Sequence, residues 1–292
     1  MPDTMLGIIG GTGVYSMEGV DDAKRHSLDT PWGRPSGEII TGTIGGVGVA
    51  FLPRHGEGHV YSPSTVPYRA NIASLKMVGV TDIVSVSACG SFREELPPGS
   101  FLIVDQYIDR TFAREKSFFG TGCVGHVSFA SPTCGRVSQA CANAASAVGV
   151  AFKHGGTYLA MEGPQFSTLA ESRLYREIWG CDVIGMTNMP EAKLAREAEI
   201  CYAAVAMITD YDCWHPDHGD IDIPAIIATL RANGQNAAKL VRKLPSLLES
   251  PREPCEQGCD RALDHAIITA PESRDAERVE KLRVVAGRVL AE

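Results

Sequence analysis

With 292 residues, a formal charge of −8 and no dense run of Lys or Arg, the chain is not expected to take nucleic acid or an anionic membrane surface as its partner. Its length suits a large α/β domain with an ample core, and no stretch approaches the roughly 18 apolar residues of a spanning helix. Asp3 and an apolar run broken within a few residues leave no secretory signal, so a soluble, cytoplasmic protein is expected, with its nine cysteines mostly free.

Residues 5–9 read as a short strand running into Gly10-Gly11-Thr12-Gly13, a backbone able to aim several N–H groups at one anion. A dinucleotide fingerprint is not completed, because Ser16 stands at the third glycine position, and no G-x-x-x-x-G-K-[ST] loop occurs. Strands at 38–43 and 47–52 pair across Gly45-Gly46, and the second ends in Pro53-Arg54-His55-Gly56 with His59 close behind. Arg54 can grip a phosphate or carboxylate with a forked pair of hydrogen bonds and His55 adds a donor; an inert surface loop is the plainer alternative. A helix over 68–78 closes at Gly79. A buried strand over 82–86 then ends in Ser87-Ala88-Cys89-Gly90-Ser91, small residues that let backbone approach a ligand.

A strand at 101–105 precedes a long aromatic connection over 108–131, in which His126 reads as an ordinary surface histidine. An Ala- and Ser-rich helix follows at 132–148. The strand at 157–161 leads into Glu162-Gly163-Pro164-Gln165-Phe166, where the Phe166 ring either stacks on a flat ligand or plugs the core. Thr168 and Glu171 form a capping box for a helix through Trp179.

The stretch from 185 to 214 organises the rest: a strand end, a Met186-Thr187-Asn188 turn, a Pro-initiated helix, and an apolar run at 202–208 that stops on Thr209-Asp210-Tyr211-Asp212. Continuous apolarity marks a strand covered on both faces, and ligands gather beyond the carboxyl ends of such strands. If the strand persists, Asp210 and Asp212 leave one face together, and in a dry cleft one of them is held protonated as a general acid. A solvated turn is the alternative. His215, Asp217 and His218 would serve a metal-dependent hydrolase, yet Pro216 and Gly219 mark a lid-like loop and no metal site is assigned. A helix at 223–248 ends the main domain, 1–250, and residues 251–292 form a helical arm packed on it. Cys255 and Cys259 are the one pair whose spacing suggests redox pairing, and no CxxC zinc pattern occurs.

These strand-end motifs, together with Pro190-Glu191 and Cys213-Trp214, occur in one order that resembles the trimeric purine nucleoside phosphorylase superfamily over about residues 5–248. The resemblance implies a single-domain nucleoside phosphorylase-like fold, with a mixed central β-sheet flanked by helices. It implies phosphorolysis of 5'-methylthioadenosine to adenine and 5-methylthioribose 1-phosphate, with phosphate as co-substrate and no cofactor or metal. A broader adenosine or methylthioinosine phosphorylase is the same-class alternative. Phosphate would be held by Thr12, Arg54, His55, Ser87, Ala88 and Thr187, and the ribose by Met186 and His59. The base would lie against Ala88, Cys89, Gly90 and Phe166, with Asp210 as its acid and Asp212 accepting from the exocyclic amine. The resemblance also implies a homotrimer or dimer of trimers, in which His126 reaches toward a neighbour's 5' pocket. Relatives preferring 6-oxopurines carry Asn where this chain has Asp210, and Ser87 stands where close relatives often have Thr.

Overall fold

The computed structural model describes residues 3–11, 19–216, 223–248 and 251–290. In chain order its strands are β1 (Met5–Gly10), β2 (Asp21–His26), β3 (Ile39–Ile44), β4 (Val47–Pro53), β5 (Asp82–Ser91), β6 (Phe101–Val104), β7 (Gln106–Asp109), β8 (Phe152–His154), β9 (Thr157–Ala160), β10 (Val183–Gly185) and β11 (Cys201–Asp210). Its α-helices are α1 (Tyr68–Met77), α2 (Gly135–Ala147), α3 (Leu169–Arg173), α4 (Asn188–Glu197), α5 (Ile223–Lys243) and α6 (Ala276–Leu290).

The strands of the described residues form one mixed sheet whose path runs β2-β3-β4-β1-β5-β10-β9-β7, with β11, β6 and β8 branching from β5. β1, β5 and β11 run parallel and are buried almost throughout, as continuous apolar strands with both faces covered should be. Side chains alternate between two cores. Leu6, Ile8 and Val84 face α2 and α5, whereas Ile9, Ile83 and Tyr202 face α1, α4 and α6. Each fully buried Leu, Ile or Val on these strands contributes about 1.5–3 kcal/mol relative to leaving it in water. On the arm, Leu282, Val285 and Leu290 of α6 enter the same buried cluster as Ile72 and Leu75 of α1.

β5 does more than its apolar half foretells. It continues through the small residues to Ser91 instead of ending at Val86, and it changes neighbours on the way. β1 pairs with it only as far as Ser85, and β10 joins antiparallel at Gly90 and Ser91. Between these points residues 86–89 are paired with β11 on one side, and on the other side the sheet is open. That gap is where the site lies.

Three strands escaped the sequence pattern. β2, DDAKRH, is an exposed edge with almost no apolar content, and β7 and β8 are only four and three residues long. The anticipated capping box is present, with Thr168 accepting from the Glu171 N–H and Glu171 reaching back to the Thr168 N–H. Cys255 and Cys259 are both unbridged and buried, and they meet Cys134 and Cys201 rather than pairing in isolation. Among the described residues, no helix is long and apolar enough to cross a membrane.

Candidate active site

The opening in the sheet is the mouth of a cavity of about 680 Å³, whose walls come from the carboxyl ends of β1, β4, β5, β10 and β11. Gly11, Arg54, His55 and His59 border it, as do Ser87 through Gly90, Phe166, Met186, Thr187, Asp210 and Asp212. Thr12, Asp217 and His218 lie outside the described residues. His126 stands apart, its N–H bound to the Ala266 carbonyl at 2.8 Å, and lines a second cavity of about 560 Å³ beside the arm.

At one end of the cleft lies Arg54, 1% exposed. The forked grip expected for a phosphate goes instead to Glu191: Nε donates to Oε1 at 2.5 Å and Nη2 to Oε2 at 3.3 Å. Nη1 donates to the Val86 carbonyl at 3.0 Å and Nη2 to Ser85 Oγ at 2.7 Å. A guanidinium this deep needs a carboxylate to offset its desolvation, and Glu191, also accepting from Ser85 and Tyr202, supplies it. Arg54 therefore brings a compensated ion pair to the cavity wall. Pro190-Glu191 is one of the motifs that carry the resemblance, but the sequence assigned Glu191 no role, since an acid within a helix reads as a solvated face.

His55 is corrected in a similar way. Burial, reinforced by the Arg54 charge, lowers its pKa to about 4, so it is neutral at neutral pH. Its Nδ1 lies 2.8 Å from the Tyr61 carbonyl, which only accepts, so Nδ1 carries the proton and Nε2 is left as an acceptor. The expected donor is thus a group suited to receiving a P–OH proton. The His59 ring stacks on it at 4.2 Å, from a backbone held at φ +58°. Ser87 Oγ donates to Asn188 Oδ1 at 3.0 Å, and Thr187 precedes α4 without a side-chain capping bond. Ala88 is the single exposed residue of β5, where the strand faces the opening.

At the other end, β11 shifts register between Ile208 and Asp210, and this irregularity sets Asp210 opposite Gly90. A side chain on Gly90 would place its Cβ 2.9 Å from Asp210 Oδ1 and 3.3 Å from Asp212 Cβ, so the acids fit only against glycine. Asp212 lies past the strand end at φ +52°, and its N–H donates to Asp210 Oδ1 at 2.8 Å. Strand periodicity does not unite the pair, as the sequence suggested; a turn does. Asp210 Oδ2 accepts from Thr209 Oγ1 at 2.7 Å. Burial, with the nearby Asp210, pushes the Asp212 carboxyl up to about 6, partly offset by the Ser167 hydroxyl 3.3 Å away. The elevated acid expected of this pair is Asp212, whereas the sequence had given the proton to Asp210.

The remaining walls are largely apolar. Phe166 is 47% exposed beside Met161 and Met186, and Ile226 and Leu230 of α5 close a side that the sequence left unassigned. Burial pushes the Cys89 thiol up to about 12, so it offers surface and not a nucleophile. Arg114, from the long connection, donates to the Met186, Met189 and Glu162 carbonyls at 2.5, 2.6 and 2.7 Å. It braces the segment after β9 and the β10–α4 junction at once. Glu162 pairs with it at 3.2 Å and accepts the Phe112 and Ala113 N–H groups.

Residues 5–245 match the model of the phosphorylase superfamily. A protein of Cereibacter sphaeroides named S-methyl-5'-thioadenosine phosphorylase is 68% identical over 98% of this chain and 99% of its own length. A namesake in Bradyrhizobium diazoefficiens is 57% identical over 99% of each chain. Among solved structures, a methylthioadenosine phosphorylase from an antarctic soil metagenomic library superposes with a TM-score of 0.88 at 43% identity, over 98% of this chain and 99% of that one. The Schistosoma mansoni methylthioadenosine phosphorylase in complex with adenine gives 0.79 at 33%, over 84% and 91%. By family match, full-length likeness and a shared fold, this chain belongs to the phosphorylase superfamily.

Proposed function

We propose that this protein is a pentosyltransferase that cleaves 5'-methylthioadenosine with inorganic phosphate, releasing adenine and 5-methylthioribose 1-phosphate. The observation that carries the reading is the acid pair at the bulged end of β11, facing one cleft with Arg54 and His55. The names borne by full-length relatives support the same substrate.

Phosphate sits at the Arg54 end, against Ser87, the Ala88 backbone and Thr187, with Thr12 of the glycine loop as a further donor. His55 Nε2 receives the phosphate hydroxyl, and the Arg54–Glu191 pair supplies local positive potential without an unpaired buried charge. The glycosidic bond stretches toward an oxocarbenium-like ribosyl group, held by Met186 and His59, and phosphate attacks its anomeric carbon. Adenine leaves with negative charge gathering on its five-membered ring, stacked between Phe166 and the Cys89–Gly90 backbone. The acid pair faces the purine edge, where the raised carboxyl of Asp212 supplies the proton to N7 and Asp210 accepts from the exocyclic amine. The apolar wall of Ile226 and Leu230 suits a methylthio group better than a hydroxyl. No cofactor takes part. The protein works in the cytoplasm as a homotrimer or dimer of trimers, with His126 serving a neighbour's 5' pocket.

The test is turnover of methylthioadenosine, adenosine and inosine with and without phosphate, with the sugar product identified. Phosphate-dependent release of adenine and a sugar 1-phosphate is expected, with methylthioadenosine preferred. Formation of free methylthioribose in phosphate-free buffer would point to a hydrolase and sink the proposal.

A further inference from the structure

Far from the cleft, four thiols drawn from three segments converge. The Sγ atoms of Cys134, Cys201, Cys255 and Cys259 all lie within 4.8 Å of one another, and the residues are 0%, 0%, 8% and 1% exposed. Cys134 is the residue before α2, and Cys201 opens β11. Cys255 and Cys259 flank a tight turn of the arm, closed by the Gly258 N–H on the Cys255 carbonyl at 2.8 Å with Gly258 at φ +67°. Two disulfides would require only that the sulfurs meet in pairs. Here every sulfur is near every other, the arrangement of four ligands around a point.

The dimensions suit one ion. Four thiolates about 2.3 Å from a tetrahedral centre stand about 3.8 Å apart, and Cys134 Sγ is 3.7 Å from Cys255 Sγ. The surroundings suit the charge. Four thiolates around a divalent cation carry a net charge of about −2, and Arg252, 6% exposed, donates Nη2 to Cys201 Sγ at 3.0 Å. Arg252 is itself fixed by Asp82 at 3.2 Å and Asp260 at 2.9 Å, and Asp260 also accepts the Cys255 N–H at 3.0 Å. Such outer contacts orient metal ligands and stabilise their charge. Arg136 pairs with the same Asp82.

We propose that these four cysteines bind one structural zinc ion that fastens the arm to the amino end of β11 and the start of α2. The site is closed, with four protein ligands and no open position. At about 3.3 Å per residue it lies roughly 30 Å along β11 from Asp210, so it takes no part in the chemistry. Binding expels four thiol protons as four zinc–sulfur bonds form. Motif spacing concealed the site, because only the Cys255–Cys259 pair is local and its interval is not CxxC.

The experiment is metal analysis of the full chain, purified without a metal-affinity tag and passed over chelating resin, with a chromogenic chelator reporting zinc as a mercurial titrates the thiols. About one zinc per chain is expected, released as roughly four thiols react. Cys255→Ser with Cys259→Ser should lower zinc at least about tenfold, whereas Cys141→Ser, buried outside the cluster, should retain it. The wild-type titration decides the matter even if the double variant fails to fold. Metal-free protein overturns the proposal, whether denaturation exposes a full set of free thiols or about four too few, the mark of two disulfides. Iron in place of zinc overturns it as well.

Discussion

Replacing Asp210 by Asn tests the base end of the cleft with little disturbance to the fold. Asp210 Oδ1 accepts the Asp212 N–H at 2.8 Å, a bond the amide oxygen of Asn preserves. Oδ2 accepts from Thr209 Oγ1 at 2.7 Å, and that hydroxyl has a second acceptor in the Cys89 carbonyl at 3.3 Å. Turned toward Cys89, Thr209 can receive a hydrogen bond from the new amide, so no buried polar atom is orphaned. The change is therefore felt by the ligand. An amide donor faces an exocyclic amine badly and a 6-oxo group well, and one mispaired buried contact is worth about 1–3 kcal/mol, about 5- to 150-fold in selectivity. The ratio of kcat/KM for methylthioadenosine over methylthioinosine should fall by that factor, with the unfolding free energy within about 0.5 kcal/mol of wild type. An unchanged ratio in a folded variant would refute the assignment of Asp210 to the purine edge.

Arg54→Ala should raise the phosphate KM strongly and, by leaving Glu191 buried without its partner, cost about 3–5 kcal/mol in chemical denaturation. Adding Glu191→Ala should restore part of that stability but not the phosphate KM; recovery of both would remove Arg54 from the anion end. Asp212→Asn should slow turnover yet stabilise the protein at neutral pH. The Asp212 pKa rises from 3.8 to about 6 on folding, so the native state binds more protons between these values and loses stability as pH climbs through that window. The two-unit rise corresponds to about 3 kcal/mol at most, which the variant regains above pH 6. His55 has the opposite sign: its pKa falls from 6.5 to about 4, so it withdraws stability as pH drops through that range. Glu197, which burial pushes up to about 7, has the same sign as Asp212, so wild-type stability should fall as pH climbs from about 4.5 to 6, and Asp212→Asn should flatten that slope in urea titrations at several pH values. A variant no more stable than wild type at pH 7 would contradict the buried-acid assignment.

The sequence disclosed most where one physical signal sufficed. Continuous apolar runs announced β1, the first half of β5 and β11, and the polar or glycine residues at their ends led to one cleft. It disclosed least where the signal depends on a distant partner. Glu191 and Arg114 are charged residues in unremarkable surroundings until the fold sets one against Arg54 and the other against three carbonyls. The irregularity before Asp210 and the turn that lifts Asp212 beside it leave no trace in a two-residue spacing, so the sequence could not tell which carboxyl burial raises. β2 was missed because an exposed edge strand needs no apolar face. The four cysteines, 121 residues apart between the first pair in contact, obey no local pattern at all.

β5 forms a wall for both ends of the cleft, and this makes it a gauge. From Ser87 to Gly90 is three steps, about 10 Å of extended chain clamped along its length by β11. With no hinge between the two halves, the anion end and the purine end cannot drift apart to suit a longer molecule. A compound joining a purine to an anionic group through a stiff linker should therefore bind as a sharp function of linker length. The best linker will be the one whose own span matches that interval, because the protein has already met the entropic cost of holding it.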